Sequence, residues 1–129
     1  MRILIDVRLL GRGAQSGIEE YTRQFVGHLL RLNAPHEYLL FYSGVRARPL
    51  PPDWLERSNI NVIRWRVPNR LLDLSTRLFS FPDVAAATKA DVVWSPHINA
   101  LHAGRTPHLV TFHDLSFIHH RDFFNLRHR

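Results

Sequence analysis

The chain has 129 residues, with 17 basic against 11 acidic side chains for a formal charge of +6; hydrophobic residues make up 45% and charged residues 22%. This length and composition suit one globular domain with a sizeable core, and exclude a disordered tail, a collagen or a low-complexity segment. Cysteine is absent, which removes disulfides, thiolate zinc sites, iron–sulfur clusters and a cysteine nucleophile together, and no apolar run approaches the roughly 20 residues of a spanning helix.

In chain order, Arg2 to Val7 is a short β-branched run closed by polar residues and predicts a buried strand. It opens into a loop holding Gly11, Gly13 and Gly17. Ser16 and Glu19 have capping-box spacing, and Ile18, Tyr21, Thr22, Phe25, Val26, Leu29 and Leu30 then recur at helical intervals as one apolar face. Asn33, Ala34 and Pro35 end that helix. Tyr38 to Tyr42 predicts a second strand, Gly44 to Pro52 carries three prolines and predicts a loop, and Ile60 to Trp65 alternates as a third strand. Leu71, Leu74, Leu78 and Phe81 have helical spacing up to a break at Pro82, and Val84 to Lys89 predicts a short Ala-rich helix. Asp91 to Ser95 and Leu109 to Phe112 predict two more strands, separated by a His/Pro/Gly-containing loop. Short apolar strands alternating with helices predict an α/β domain over residues 1–129, a mostly parallel sheet with helices on both faces. Such sheets meet ligands at the carboxyl ends of their strands, so chemistry is expected in the loops after Val7 and Phe112.

The three glycines free the backbone to turn and to present N–H groups ahead of a helix N-terminus, which suits a diphosphate and equally a plain flexible connector. The dinucleotide fingerprint is not met, because three residues separate Gly13 from Gly17 and the second strand ends Phe41, Tyr42, Ser43, Gly44 without an acidic residue. His113, followed by Asp114, falls at a strand end, where an imidazole donates to developing negative charge or to a substrate hydroxyl, or simply packs beneath a loop. The loop histidines His97, His102, His108, His113, His119 and His120 contain no H-E-x-x-H arrangement, and no metal is expected. The basic charge is 16 arginines and Lys89, a skew that follows from codon composition as readily as from phosphate-bearing partners. Arg46, Arg48, Arg64, Arg66, Arg70 and Arg77 are interleaved with Trp54, Trp65, Leu71, Leu72 and Phe79, a pattern that fits an anionic membrane, an anionic acceptor or an ordinary solvated face. No nucleic-acid recognition motif is present.

Three segments, Ile3 to Arg8 (ILIDVR), Ser16 to Leu30 (SGIEEYTRQFVGHLL) and Leu109 to Arg129 (LVTFHDLSFIHHRDFFNLRHR), together resemble the amino-terminal domain of the family 4 nucleotide-sugar-dependent glycosyltransferases, retaining enzymes of the GT-B type. The resemblance covers most of the chain and is weakest from Ser43 to Ala90. It implies a Rossmann-like, acceptor-side half of a two-domain enzyme, truncated here, whose carboxyl-terminal domain would hold most of the sugar donor. By the same resemblance the backbone of Gly11, Gly13 and Gly17 approaches the donor diphosphate, His113 is the catalytic residue reaching the donor sugar, and Asp114 supports its loop. Arg64, Arg66, Arg70 and Arg77 then face the acceptor or a membrane. The nucleotide-sugar is a co-substrate and no other cofactor is implied; the acceptor is a glycan or lipid-linked, and the setting is cytoplasmic, peripheral at the inner face of a membrane. Two features depart from the family pattern. Arg12 and Gln15 stand among the glycines, and Glu19, Glu20, Glu37 and Glu56 include no pair separated by seven residues. On this reading the isolated chain has negligible transferase activity; the alternative is a non-catalytic α/β binding module or a degenerate gene product.

Overall fold

The apolar runs form a five-stranded, all-parallel sheet in the computed structural model, which describes residues 1–11, 16–32, 34–45, 48–98 and 101–114. Strand β1 (Arg2–Asp6) lies between β2 (Glu37–Ser43) and β4 (Val92–Ser95), with β3 (Ile60–Trp65) and β5 (His108–Val110) at the edges, in the order β3-β2-β1-β4-β5. Side chains of β1 and β2 are buried on both faces because both faces are covered, which is why these strands read as continuous apolar runs. Edge strand β3 alternates instead, since only its inward positions are shielded.

Alternation along the strands divides the core in two. Ile5, Val7, Tyr38, Leu40, Tyr42 and Trp94 point to one face, where Val26 and Leu30 of α1 (Gly17–Arg31) and Trp54 of α2 (Pro52–Leu55) meet them. Leu4, Leu39, Phe41 and Val93 point to the other, under Leu72 of α3 (Asn69–Phe79) and Val84 and Ala85 of α4 (Val84–Thr88). Gly27 faces the indole of Trp54, and a Cβ there would sit 3.6 Å from the ring nitrogen, at ordinary van der Waals contact. The chain moves outward from β1 to β3 with α1 and α2 on one face, then returns through α3 and α4 on the other to reach β4. Winding therefore reverses between β1 and β4, and the carboxyl ends of these two strands border the crevice where such folds bind ligands.

Most boundaries agree with the sequence reading to within about two residues, and three features differ. The proline-rich loop after Gly44 runs directly into α2, a single turn that Pro52 can start because proline is tolerated in the first helical turn. The buried line of α1 is Glu19, Thr22, Val26, Gly27 and Leu30, while Ile18 and Phe25 lie toward solvent. In α3 the apolar stripe Leu71, Leu74 and Leu78 faces outward and Leu72 alone is buried. Helical spacing gave the element, but not the direction of its apolar side.

Candidate functional site

At the carboxyl end of β1, Asp6 is wholly buried and Arg8 folds back onto it. The Arg8 Nε and backbone N–H donate to Asp6 Oδ1 at 2.9 and 3.1 Å, and Nη2 donates to Oδ2 at 2.9 Å. Nη1 donates to Asp73 Oδ1 of α3 at 3.2 Å, and the guanidinium carbon lies 5.4 Å from the Phe41 ring centroid. Burial pushes the Asp6 carboxyl up, but the Arg8 charge and its hydrogen bonds, with a smaller contribution from His97, hold it below the ordinary 3.8. Burial likewise works against the Arg8 charge, and Asp6 and Asp73 more than offset it. Both groups stay ionised near neutral pH. They anchor the 3-10 turn Arg8–Gly11 and tie α3 to the sheet, and cannot exchange protons there.

His97 follows the carboxyl end of β4 and His113 that of β5, while His108 opens β5 at its amino end and reaches back to Ser95. Ser95 Oγ lies 2.8 Å from His108 Nε2, and burial holds His108 below its ordinary 6.5 with the Asp6 charge partly opposing. His97 is buried close enough to Asp6 to act on its charge. His113 Nε2 lies 2.6 Å from the carbonyl oxygen of Pro96. A carbonyl only accepts, so this nitrogen carries a proton, and in the neutral ring Nδ1 is then an acceptor. Tyr21 of α1 meets the His113 ring edge-on at 4.6 Å, and the contact continues through Phe25 at 5.5 Å to Trp94 at 4.8 Å. Trp94 Nε1 closes the chain by donating to Thr111 Oγ1 at 3.1 Å.

This aromatic line brings His113 to α1 about one turn from its first residue, Gly17. Ser16 caps that helix by accepting from the Glu19 N–H at 3.2 Å, while Gly17 and Ile18 occupy the first two N–H positions, which no helical carbonyl can serve. A Cβ on Gly17 would meet nothing within 4 Å, so the bare backbone here borders open space. Ser16, Gly17, Glu19, Glu20 and Arg23 line a shallow depression of about 510 Å³ beside it.

The other sequence-predicted residues fall as follows. Gly11 ends the 3-10 turn and its carbonyl accepts from the Arg48 N–H at 3.4 Å; Gly13 lies outside the described residues. Asp114, exposed, follows His113 at the end of the described chain. The arginines are not gathered. Arg64 lies over the Tyr42 ring at 5.9 Å on the α1 face, Arg66 follows β3, and Arg70 and Arg77 ride on α3 across the sheet. Trp54 is buried beneath α1 and takes no part in a basic surface. Among the described residues no group of three histidine or carboxylate side chains is placed to hold a metal ion, and no helix is long and apolar enough to cross a membrane.

Strand order, two-sided helix cover and a switch point between β1 and β4 define a Rossmann-like α/β fold. Comparison with protein-family models, curated proteins and solved structures finds no match to the chain. Sequence reasoning missed the Asp6–Arg8–Asp73 network and the contact of Tyr21 with His113. The first had a local signal: two opposite charges two residues apart at the end of a strand with no other polar residue in its interior belong together, because neither ion is tolerated alone in a core. The second had none, since α1 and His113 are 92 positions apart in the chain (113 − 21) and only the fold joins them.

Proposed function

We propose that this chain is the acceptor-side part of a retaining glycosyltransferase that moves a sugar from a nucleotide-sugar to a glycan or lipid-linked acceptor. The observation that carries the reading is the placement of His113 beside the first turns of α1 at the switch point of the sheet. A departing diphosphate needs fixed positive dipoles, and the first N–H groups of α1, on Gly17 and Ile18, which no helical carbonyl serves, lie where such charge is favoured. His113, with its Nε2 proton committed to Pro96, offers Nδ1 to accept from a hydroxyl of the donor sugar, which makes it an orienting group for the reacting carbon. Arg8 and Asp6 hold the turn that precedes the α1 loop and take no proton.

Nucleoside diphosphate release by the full-length gene product, measured across the common nucleotide-sugars, tests this. His113→Ala is expected to lower turnover by about a hundredfold, within the range of a positioned polar group, with an unchanged melting profile. Unchanged turnover in that variant removes His113 from the site. No diphosphate release from any donor, or sugar transfer by the 129-residue chain alone, overturns the reading.

A further inference from the structure

We propose that Tyr21 is the positioning residue of His113: its ring sets the plane of the imidazole and thereby the direction of Nδ1. What this does for catalysis rests on the glycosyl-transfer reading, whereas the ring contact stands on its own. A single hydrogen bond does not orient an exposed ring. With Nε2 donating to the Pro96 carbonyl at 2.6 Å and nothing more, the imidazole could still turn about the N–H···O line and carry Nδ1 with it. A contact off that line removes the freedom. Tyr21 supplies one, with ring centroids 4.6 Å apart and planes at 79°, the edge-on arrangement that aromatic rings favour. Tyr21 also stands on α1 about one turn after Gly17, so the contact fixes Nδ1 relative to the first N–H groups of that helix. In the glycosyl-transfer reading these two features meet the sugar and the diphosphate of one donor.

The position of Tyr21 is itself determined. Phe25, one turn further along α1, meets Tyr21 at 5.5 Å, and Trp94 of β4 meets Phe25 at 4.8 Å. The Trp94 indole N–H donates to Thr111 Oγ1 at 3.1 Å, and Thr111 lies two residues before His113. The contacts therefore close a ring that starts and ends on the segment carrying His113. This accounts for Phe25, which is 46% exposed although it belongs to the apolar face of α1: it bridges Tyr21 and Trp94 instead of filling the core. Tyr21, Phe25, Trp94 and Thr111 all line one open groove of about 320 Å³, so the two outer rings are held by each other and by buried Trp94 rather than by packing on every side. The contact to His113 is made ring to ring, which phenylalanine can reproduce and an aliphatic side chain cannot.

Nuclear magnetic resonance of the histidine rings in the 129-residue chain tests the contact, with the His113 signals assigned through His113→Ala. Tyr21→Leu is expected to move those signals toward the values of a free histidine, and Tyr21→Phe to leave them in place. Phe25→Leu, which cuts the line behind Tyr21, should move them the same way by less. His28, on the same helix with its ring nitrogen on the Gln24 carbonyl at 2.7 Å, should keep its signals in all three. His113 signals that stay in place in both leucine variants, or that move only together with those of His28, overturn the proposal. In the full-length gene product, Tyr21→Leu should lower kcat about tenfold with KM for the nucleotide-sugar changed less than about twofold, and Tyr21→Phe should keep at least about half of the turnover. Placed in a His113→Ala background, Tyr21→Leu should cost nothing further, because it acts only through that ring. An equal loss with and without His113 overturns the positioning role. Absence of diphosphate release from every donor removes the glycosyl-transfer reading instead, and the His113 signals still decide whether Tyr21 orients the ring.

Discussion

At the end of β1, Asp6 is fixed by three hydrogen bonds from Arg8, which makes a fourth to Asp73; beside the carboxyl end of β4, His108 and His113 each commit one ring nitrogen among the described residues, to Ser95 and to the Pro96 carbonyl. The two regions border the same crevice but use different chemistry. Paired ions in a dry interior cannot change state near neutral pH, so the first region can only hold the backbone in place. Imidazoles with one committed nitrogen keep a lone pair or a proton to offer, so the second can meet a ligand. A site needs both: a turn that does not move and side chains that are not fully used.

The sharpest test of this division is Arg8→Met, which keeps most of the volume and strands the Asp6 carboxylate in the core. Chemical denaturation should show a loss of about 3–5 kcal/mol, a large share of the stability of a small domain. Adding Asp6→Leu should restore more than half of that, because removing both ions also removes the desolvation cost. A loss below about 1 kcal/mol for Arg8→Met would erase the contrast between the two ends.

Next in size is Gly104→Ala, in the loop that joins β4 to β5. Gly104 has φ of 53°, and a Cβ there would collide with the carboxylate of Asp83, which caps α4 by accepting from the Ala86 N–H at 2.9 Å. Left-handed backbone and a displaced cap together should cost about 2 kcal/mol, read from the shift in denaturation midpoint. A smaller third effect separates the ends by pH. Ser95→Ala should cost about 1 kcal/mol at neutral pH through the lost contact to His108. His108 is held below its ordinary 6.5, so across that window the folded chain binds fewer protons than the unfolded one. Its contribution is complete above about 6.5 and is lost as the pH falls through the folded value. Asp6, also lowered, gives its contribution above the ordinary 3.8, and that part is lost only on further acidification. A series of urea midpoints should therefore fall in two stages, and His108→Asn should remove the first and leave the second.

The sequence made the scaffold legible because burial on both faces leaves an unmistakable trace: Arg2 to Val7, Tyr38 to Tyr42 and Asp91 to Ser95 are mostly apolar runs too short for helices and too continuous for surface strands. Ser16 and Glu19 marked the start of α1 for the same local reason, a hydroxyl within reach of an orphan N–H. His113 at a strand end was legible as well, by position rather than by partner. Tertiary direction was hidden. The row Leu71, Leu74 and Leu78 has the spacing of a core-facing helix, yet it points outward because the second sheet face is already filled by Leu72, Val84 and Ala85. Arg64 and Arg70 are six apart in sequence but separated by the sheet, since alternation in β3 sends Arg64 over Tyr42.

The smallest expected effect closes the comparison. His113→Ala removes one hydrogen bond to Pro96 and one edge contact to Tyr21 from an exposed residue. Such a bond, exchanged against water, is worth about 1 kcal/mol or less, so the denaturation midpoint should barely move beside that of Arg8→Met. Pro96 is buried, but His113 is exposed, so truncating the ring opens the Pro96 carbonyl to water, which limits the cost. If His113→Ala instead costs more than about 2 kcal/mol, the imidazole is a fixture of the β4–β5 edge in the same sense as Arg8 is of β1. A residue so bound to the framework has little left for a substrate, and the site would then have to be sought among His97 and the first N–H groups of α1.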